Sequence, residues 1–300
     1  MNIGIITRNP SSWSSSQLIK AFHTLGHSVT TFRFNDIIAF IDSDKLKLIV
    51  NDEDILKTFS AIVVRPFGRV SLDQAIFRID LLYSIQDNGI PVFNKPSAIE
   101  KCVDKFRSLY ILKMNGLPVP RTIVTERSSL ALRSLYMLSS SDVVVKPMFG
   151  SRGHGSTKIC IRDRDILWEV VRSMTFVRRT AYIQEFIPHK GVDIRAFVLG
   201  DRVLAAMYRY AYPGQWKTNI ARGGKPLKID RLDPYIEDVV LKAAKILECD
   251  IAGVDVVSLR DSIYILEVNS QPGWKGLQEV HSELNIAEEI AKYIINKVRK

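Results

Sequence analysis

The sequence predicts a three-domain protein in which an α/β domain is followed by two α+β domains. Three observations predict this organisation. Short apolar strands alternate with helical stretches over the N-terminal third, a glycine-rich loop joins two strands in the middle of the chain, and the strands beyond Pro188 are spaced as antiparallel pairs. We therefore expect domains at residues 1–95, 96–187 and 188–300. A chain of 300 residues with 46% hydrophobic residues can build cores of this kind.

The first domain is predicted to be a parallel sheet covered by helices. Strands are expected at residues 2–7, 29–34, 61–65 and 91–93, and helices at residues 14–25 and 72–87. This alternation favours parallel strands, because each helix can carry the chain back to the edge where the next strand begins. No GxGxxG motif follows the first strand, so a dinucleotide site is not expected there.

The second domain begins with a predicted helix that starts near Ser97 and ends at Gly116. Ser97 and Glu100 have the spacing of a capping box, and Gly116, followed by two prolines, is a typical C-terminal stop. Strands are then expected at residues 122–125, 143–146, 157–161 and 180–187, with a helix at residues 165–174.

The third domain is predicted to contain an antiparallel sheet. Two of its strands surround Gly200 and Asp201, and helices are expected at residues 234–247 and 287–298. Between these helices a hairpin joins "GVDVVSL" to "SIYILEVN" through a loop of Arg260, Asp261 and Ser262.

Charge and composition exclude several classes of protein. The formal net charge is +10 and the isoelectric point about 9.5, but the basic residues are dispersed and no zinc-finger or RRM signature accompanies them. This argues against nucleic acid and favours a small polyanion such as ATP, or a polycarboxylate. No apolar run approaches the roughly 20 residues of a membrane span. Three separated cysteines and an N-terminal strand in place of a signal peptide predict a cytoplasmic protein with reduced thiols.

The predicted hairpin near the C-terminus carries a candidate metal site. A three-residue loop would place Asp255 opposite Glu267 and Gly253 opposite Asn269, so that two carboxylates and an amide share one face. Ligands that offer only oxygen favour hard cations such as Mg²⁺. The alternative is a solvated hairpin in which Glu267 pairs with a lysine.

A glycine-rich segment, "VVVKPMFGSRGHGSTKIC", lies between two predicted strands. Gly150, Gly153 and Gly155 fit a flap whose backbone N–H groups close over phosphates, and Lys146 ends the entering strand, where it can neutralise phosphate oxygens. The alternative is an ordinary glycine-rich hairpin turn.

Two further segments carry polar residues in an apolar setting. Residues 184–187 of "IQEFIPHKGVDIRAF" can offer backbone groups to an adenine edge, and Asp193 can hold ribose hydroxyls; the alternative is a core strand with exposed polar residues. In "GQWKTNIARGG", Asn219 and Arg222 precede a Gly-Gly pair, and an arginine can stabilise the charge of a transferring phosphate. The alternative for Arg222 is a surface salt bridge.

Taken in order, six segments resemble the ATP-grasp superfamily and, within it, the RimK-type amino-acid ligases. They are "AIEKCVDKFRSLYILKMNGLPVPRT", "VVVKPMFGSRGHG", "YIQEFIPHKGVDIRAFVLGDRVLAAMYR", "TNIARGG", "AGVDVV" and "LEVNSQPGWKG". The resemblance covers essentially the whole chain and implies a three-domain ATP-grasp fold with ATP between the central and C-terminal domains. It also implies the reaction, in which ATP phosphorylates a carboxylate and an amine then attacks the acyl phosphate to form an amide.

The resemblance also implies roles for individual residues. Nucleotide-binding roles fall on Lys105, Lys146, Ser151, Gly153, Gly155, Gln184, Glu185, Phe186, Ile187 and Asp193. Two Mg²⁺ or Mn²⁺ ions would be held by Asp255, Glu267 and Asn269. Arg222 would stabilise the acyl phosphate, with Arg195 and Asn219 assisting. Arg152 and His154 depart from the usual pattern because they add bulk to the flap.

The segment "VVRPFGRVSLDQAIFRIDLL" is similar to ligases that add α-linked glutamate to coenzymes such as tetrahydromethanopterin and the γ-glutamyl deazaflavin coenzyme. Substrate-binding roles would then fall on Arg65, Arg69, Ser71, Arg209 and Lys275, although Arg65 and Arg69 can equally pair with acids of their own loop. The implied partners are ATP, L-glutamate and an acidic acceptor, in a dimer or tetramer. Two alternatives are glutamylation of a protein tail, on a ribosomal protein or an amino-group carrier, and a nucleotide- or nucleic-acid-binding protein without ligase activity.

Overall fold

The computed structural model describes residues 1–68, 70–150, 154–260 and 262–299. The strands are β1 (Asn2–Ile6), β2 (Ser28–Phe32), β3 (Ile38–Ile41), β4 (Leu46–Val50), β5 (Glu53–Asp54), β6 (Ala61–Val64), β7 (Val92–Phe93), β8 (Thr122–Thr125), β9 (Asp142–Lys146), β10 (Thr157–Cys160), β11 (Ala181–Glu185), β12 (Val192–Leu199), β13 (Arg202–Tyr210), β14 (Lys225–Ile229), β15 (Ile251–Leu259) and β16 (Ser262–Asn269). The α-helices are α1 (Trp13–Thr24), α2 (Ile55–Thr58), α3 (Leu72–Asp87), α4 (Pro96–Val103), α5 (Lys105–Met114), α6 (Ser128–Arg133), α7 (Arg164–Phe176), α8 (Pro234–Ile246), α9 (Lys275–Val280) and α10 (Ile286–Arg299).

The N-terminal sheet is parallel, with the strand order β2-β1-β6-β7. Its central strands are almost completely buried, as expected for a sheet covered on both faces. The helix predicted at residues 72–87 is α3, and Ser71 is its N-cap: the Ser71 Oγ accepts from the Gln74 N–H at 3.5 Å while the Gln74 Oε1 accepts from the Ser71 N–H at 3.3 Å. The predicted parallel α/β character of this region is confirmed.

A small antiparallel sheet of β3, β4 and β5, together with α2, was not predicted. All four residues of β3, Ile38–Ile41, are exposed, so this strand lacks the apolar and polar alternation that identifies a half-buried strand. The sheet packs onto the N-terminal core through Leu48 and Val50 of β4.

The single helix predicted from Ser97 to Gly116 is wrong, because the segment forms two helices, α4 and α5, that meet at Asp104. The Asp104 Oδ1 accepts from the N–H groups of Phe106 at 2.9 Å and Arg107 at 3.1 Å, and so caps a new helix. The predicted capping box is also wrong. The Ser97 Oγ instead donates to Glu248 at 2.7 Å, and Pro96 begins α4.

The two remaining sheets are antiparallel, which was predicted for the C-terminal sheet. The central sheet has the order β10-β9-β11-β8, and the C-terminal sheet has the order β14-β13-β12-β15-β16. The hairpin around Gly200 and Asp201 is confirmed as β12 and β13. Strand β14 and helices α6 and α9 are short elements that the sequence patterns did not reveal.

The N-terminal and C-terminal regions share one hydrophobic core. Ile3 and Leu18 from the first region cluster with Trp274 and Ile290 from the last. Asn94, just after β7, adds hydrogen bonds to β15: its Nδ2 donates to the Ile251 carbonyl at 2.7 Å and its Oδ1 accepts from the Ile251 N–H at 2.8 Å. The domain limits at residues 95 and 187 stay a prediction, but these contacts fix the first sheet against the last.

Two observations concern the predictions about thiols and membranes. All three cysteines are free, and the Sγ atoms of Cys102 and Cys249 lie 3.5 Å apart although the residues are distant in the sequence. Within the described ranges, none of the helices combines the length and the apolar character that crossing a membrane requires.

Candidate active site

The predicted pairing in the C-terminal hairpin is present: Asp255 lies opposite Glu267, and Gly253 lies opposite Asn269. The predicted loop is wrong, because Ser262 pairs with Leu259 and therefore belongs to β16; Asp261 lies outside the described residues. The register is restored by a bulge, in which Val256 pairs with Ile265, Asp255 pairs with Glu267, and Leu266 is the extra residue. The bulge places both Leu266 and Glu267 in the wall of one cleft.

Behind this hairpin lies a buried network of arginines and aspartates. Arg209 is 4% exposed and donates to Asp193 through Nε at 2.7 Å and Nη2 at 2.6 Å, and its Nη2 lies 3.1 Å from the Asp255 Oδ1. Arg195 donates to the other side of Asp255, with its Nη2 2.8 Å from Oδ2. The Thr218 Oγ1 donates to Asp193 at 2.6 Å. Each buried charge therefore meets an opposite charge, as burial requires.

The network fixes the charge states of its members. Burial favours the neutral form of Asp255, but Arg195 and Arg209 outweigh it and lower the pKa of this carboxyl. Burial likewise favours the neutral form of Arg209, but Asp255 and Asp193 outweigh it and raise the pKa of the guanidinium. Both groups therefore stay ionised at neutral pH.

A cleft of about 880 Å³, including its open mouth, lies between the central and C-terminal sheets. Eleven residues predicted for the site line it: Lys105, Lys146, Gln184, Glu185, Phe186, Ile187, Asp193, Arg209, Asn219, Asp255 and Glu267. The sequence analysis did not assign roles to five other lining residues: His189, Trp216, Lys217, Thr218 and Ser156. All five lie inside the quoted segments "IQEFIPHKGVDIRAF", "GQWKTNIARGG" and "VVVKPMFGSRGHGSTKIC", so their place in these motifs is the signal that could have found them.

Two lysines cross the cleft from the central part of the chain. The Lys146 Nζ donates to the Gln184 Oε1 at 2.8 Å, and burial lowers the pKa of Lys146 to about 8. The Lys105 Nζ donates to the Gly150 carbonyl at 2.7 Å and lies 3.8 Å from the Glu267 Oε1. Lys105 therefore links the start of the glycine-rich loop to the candidate metal carboxylate.

The end of β11 presents backbone groups to the cleft. The Arg121 N–H donates to the side chain of Glu185, at 2.9 Å from Oε1, while the Glu185 N–H donates to the Arg121 carbonyl at 3.0 Å. The N–H of Phe186 is used by Asp142, and its carbonyl accepts from the Ser140 Oγ. The edge groups left for a heteroaromatic base therefore belong to the residues on either side, Glu185 and Ile187.

Several predicted residues lie outside the cleft lining. Arg195 reaches the site through Asp255, and Asn269 through its Nδ2, which donates to the Gly253 carbonyl at 3.4 Å. Arg222 is exposed and its Nη2 lies 3.3 Å from the His154 Nδ1. Gly155 follows His154 with a φ of +73°, a conformation that favours glycine. Ser151, Arg152, Gly153 and Arg69 lie outside the described residues.

The predicted acceptor-binding residues of the first domain are not brought into the cleft. Arg65 is buried at 8% exposure and its Nη2 donates to the Pro272 carbonyl at 3.2 Å. Ser71 is the exposed N-cap of α3, and Lys275 is exposed at the start of α9. Among the residues predicted to bind the substrate, Arg209 lies in the cleft wall. Its side chain already donates a hydrogen bond to Asp193.

Comparison with known proteins decides the family. The RimK-like ATP-grasp domain matches residues 102–294, and the RimK PreATP-grasp domain matches residues 1–99. This chain belongs to the RimK-like ATP-grasp family. It is 34% identical to the tetrahydromethanopterin:alpha-L-glutamate ligase of Methanocaldococcus jannaschii, over 100% of both chains. It is 31% identical to the protein of the same name from Methanosarcina acetivorans, over 98% of both chains.

Solved structures agree with the fold. The ATP-grasp ligase PsnB, complexed with a phosphomimetic variant of its minimal precursor, Mg and ADP, superposes with a TM-score of 0.73 at 18% identity, covering 100% of this chain and 98% of that one. The predicted ATP-grasp fold and RimK-type family are therefore confirmed, and the predicted glutamate ligase activity agrees with the names of the relatives.

The donors at the hairpin fit the metal that ATP-grasp chemistry uses. Asp255 and Glu267 offer carboxylate oxygens, and because the Asn269 Nδ2 is used by Gly253, its Oδ1 is left for a cation. Within the described ranges, no group of three or more His, Cys, Asp and Glu side chains could hold a metal ion. A hard cation that keeps water and phosphate oxygens needs no larger protein set, so this small group of ligands suits Mg²⁺.

Proposed function

We propose that this protein is an ATP-dependent ligase that adds L-glutamate, through an acyl phosphate, to a glutamyl-tailed coenzyme such as tetrahydromethanopterin or the deazaflavin coenzyme. The observation that carries the proposal is the cleft, in which Lys105 and Lys146 face the paired Asp255 and Glu267. The two relatives named tetrahydromethanopterin:alpha-L-glutamate ligase, which match over nearly the whole chain, support the choice of glutamate and acceptor.

In this proposal the cleft binds ATP with its adenine at the end of β11. The Glu185 carbonyl is the acceptor and the Ile187 N–H the donor for the adenine edge, and the phosphates extend toward Lys146 and Lys105. Lys146 is buried beside Gln184 and gains a partner when an anionic phosphate arrives, which favours its protonated form. Asp193 was assigned to the ribose; because its oxygens already accept from Arg209 and Thr218, we propose that it also positions Arg209.

Asp255, Glu267 and Asn269 would hold two Mg²⁺ or Mn²⁺ ions. When bound, these ions would supply positive charge against the charge that develops during phosphoryl transfer. The protein prepares this site by burying Asp255 at 4% exposure with two arginines, which keep it ionised in the absence of a cation. Lys105 keeps Glu267 in place from across the cleft, at 3.8 Å.

The reaction then needs alignment and charge stabilisation from the chain. The γ-phosphoryl group is transferred to an acceptor carboxylate, the amine of glutamate attacks the acyl carbon, and phosphate leaves as the amide forms and the amine loses a proton. Arg222, with Arg195 and Asn219, is proposed to stabilise the acyl phosphate and the tetrahedral intermediate. Ser151, Gly153 and Gly155 would close over the phosphates. No side chain is assigned as a general base.

Mass spectrometry tests the proposal. The protein is incubated with Mg²⁺, ATP, glutamate and a panel of tetrahydromethanopterin, the deazaflavin coenzyme and peptides that end in glutamate. A single glutamyl addition to one coenzyme, with equimolar ADP release, supports the ligase and names its acceptor. Labelled glutamate that enters only macromolecular material contradicts the coenzyme acceptor and supports glutamylation of a protein tail.

We also propose a cytoplasmic location and a dimer or tetramer. The free thiols support the location, and the family resemblance supports the oligomeric state. Light scattering of the purified protein measures the oligomeric state, and a monomer at micromolar concentration contradicts this part of the proposal.

A further inference from the structure

Arg65 is a buried cation that forms no ion pair with any carboxylate of the described residues. It follows β6 at the carboxyl end of the parallel sheet and is 8% exposed. Its Nη2 donates to the Pro272 carbonyl and its guanidinium lies 4.8 Å from the centre of the Trp274 ring, but its Nε has no hydrogen-bond partner among the described residues. Burial lowers the pKa of Arg65 to about 10. A buried charge of this kind is costly unless an anion meets it.

A second orphan donor lies beside it. The indole Nε1 of Trp274, a residue only 1% exposed, also has no hydrogen-bond partner in the described part of the chain. Arg65 and Trp274 line one recess with Asn94, Ser270 and Pro272; its volume is about 280 Å³ when the open space at its mouth is included. Guanidinium and indole groups donate and cannot accept hydrogen bonds, so what both lack is an acceptor.

Two further arginines lie at the same edge of the sheet. Arg8 follows β1, the neighbour of β6, and its guanidinium lies so close to Gly68 that a Cβ there would overlap it. The Arg78 Nη1 donates to the Phe67 carbonyl at 2.9 Å, and burial, followed by the charge of Arg8, lowers the pKa of Arg78. In the ranges that the structure describes, none of these three arginines forms an ion pair. We call Arg8, Arg65 and Arg78 the arginine edge.

The arginine edge is one loop away from the candidate metal ligands. Pro272, which accepts from Arg65, packs so close to Gly253 that a Cβ at Gly253 would lie 2.9 Å from the Pro272 Cβ and 2.8 Å from the Arg195 Nη1. Gly253 is paired with Asn269. The segment that contacts Arg65 is therefore packed directly against the hairpin that carries the candidate metal ligands.

We propose that the arginine edge and the Trp274 indole N–H bind an anionic group of the acceptor, a carboxylate or a phosphate other than the carboxylate that is activated. The site would select acidic acceptors and hold them in a fixed position relative to the hairpin of β15 and β16. This inference rests on the proposed ligase function for its biological meaning. The anion site itself is argued from the unpaired donors and can be tested without turnover.

Direct binding is the first test. The full-length protein, saturated with Mg²⁺ and ADP to occupy the cleft, is titrated with Glu-Glu-Glu peptide and separately with inorganic phosphate, by calorimetry and tryptophan fluorescence. We expect Arg65→Met to raise the dissociation constant of the better probe about tenfold and Arg8→Ala to raise it about threefold. Lys57→Ala and Lys20→Ala, which remove exposed charges elsewhere on the first domain, should change it less than about twofold.

The two probes separate the chemical sources of the anion. Tighter binding of the peptide indicates a carboxylate group, and tighter binding of inorganic phosphate indicates a phosphate group. Failure of both probes to bind the wild-type protein overturns the proposal, since a water molecule would then satisfy the Arg65 Nε and the Trp274 Nε1. Equal weakening by Arg65→Met and by Lys57→Ala also overturns it, because the effect would then be one of net charge.

Thermal unfolding distinguishes a binding role from a packing role. Methionine keeps the apolar stem that packs on Trp274 but removes the unpaired charge. We expect unliganded Arg65→Met to melt at a higher temperature than the wild type, and Glu-Glu-Glu to raise the melting temperature of the wild type alone. A lower melting temperature with unchanged peptide affinity assigns Arg65 to packing and overturns the proposal.

Steady-state kinetics with the acceptor identified by mass spectrometry completes the test. Arg65→Met should raise the acceptor KM about tenfold while the KM for ATP stays within about twofold. Glutamyl transfer with an unchanged acceptor KM overturns the anion site and leaves the ligase proposal intact. Conversely, peptide binding that depends on Arg65, in a protein that transfers glutamate to no acceptor, supports the anion site and contradicts the ligase proposal.

Discussion

The cleft and the arginine edge both bury arginines, but they treat them in opposite ways. Arg209 in the cleft is 4% exposed and pairs with Asp193 and Asp255, which raise its pKa against the effect of burial. Arg65 at the arginine edge is 8% exposed and has no such partner in the part of the chain that the structure describes, and burial lowers its pKa to about 10. The partner of a buried charge, more than the degree of burial, therefore decides its state.

The difference also indicates what each region binds. A nucleotide that arrives with Mg²⁺ brings charges of both signs, and the cleft offers both: Lys105 and Lys146 for phosphates, and Asp255 and Glu267 for the metal. The arginine edge offers cations alone, which suits an anion that carries no metal. The predictions below test this contrast.

The largest effect is expected in the cleft, from Glu267→Gln. The amide keeps the shape of Glu267 but removes one of two carboxylates that face each other across β15 and β16. Because metal ligation needs that charge, we expect kcat for ADP release in the presence of acceptor and glutamate to fall about 10³-fold. Glu169→Gln on the exposed face of α7 is the matched control and should leave kcat unchanged. Unchanged turnover in Glu267→Gln contradicts the metal assignment.

The next effect concerns stability and has opposite signs in the two regions. Asp193→Asn leaves Arg209 buried with only Asp255 as a counter-charge, so the free energy of unfolding should fall by about 3–5 kcal/mol. By contrast, Arg65→Met removes a buried charge that has no ion-pair partner among the described residues, so the free energy of unfolding should rise. Asp238→Asn, which breaks the exposed pair with Lys242, is the control and should cost less than about 0.5 kcal/mol. Urea unfolding measures the free energy of unfolding of all three variants. A change of the same sign in Asp193→Asn and Arg65→Met would contradict the contrast between the two regions.

The two regions also differ in how far the sequence predicts them. The pairing of Asp255 with Glu267 follows from the periodicity of two neighbouring strands, although the bulge at Leu266 and not a three-residue loop produces it. Lys146 and Gln184 are predicted to lie in strands that become β9 and β11, and these strands pair. Local patterns therefore predict most of the cleft, because the alternation of side chains along a strand decides which residues share a face.

Local sequence patterns do not predict the arginine edge. Arg65 and Trp274 meet because the first and last regions share one core, and no spacing in the sequence predicts that docking. The break between α4 and α5 was missed for a related reason: Asp104 caps α5 in a stretch whose apolar spacing suits a continuous helix. Strand β3 was missed because its exposed apolar residues follow no alternation.

The pH dependence of ATP binding is a third, smaller effect, and it belongs to the cleft alone. Burial lowers the pKa of Lys146 to about 8, so the lysine is charged below that pH and loses its charge as the pH rises through it. If phosphate binding needs the charged form, the KM for ATP should be constant below pH 7 and rise about tenfold between pH 7 and pH 9. Lys146→Arg, whose guanidinium stays charged, should flatten this rise. A wild-type KM that does not change up to pH 9 contradicts the role of Lys146.

The smallest effect tests whether Ser71 belongs to the arginine edge or only to its helix. Ser71→Ala removes the N-cap of α3 and should lower the free energy of unfolding by about 1 kcal/mol, with little change in acceptor KM. Ser71→Asp keeps a good cap, so stability should be retained, but it adds a negative charge near the start of α3. If the acceptor's anion lies close by, the aspartate should raise its KM about threefold, and this rise should shrink at high salt. An unchanged KM in Ser71→Asp restricts Ser71 to capping and confines the anion to Arg8, Arg65 and Arg78.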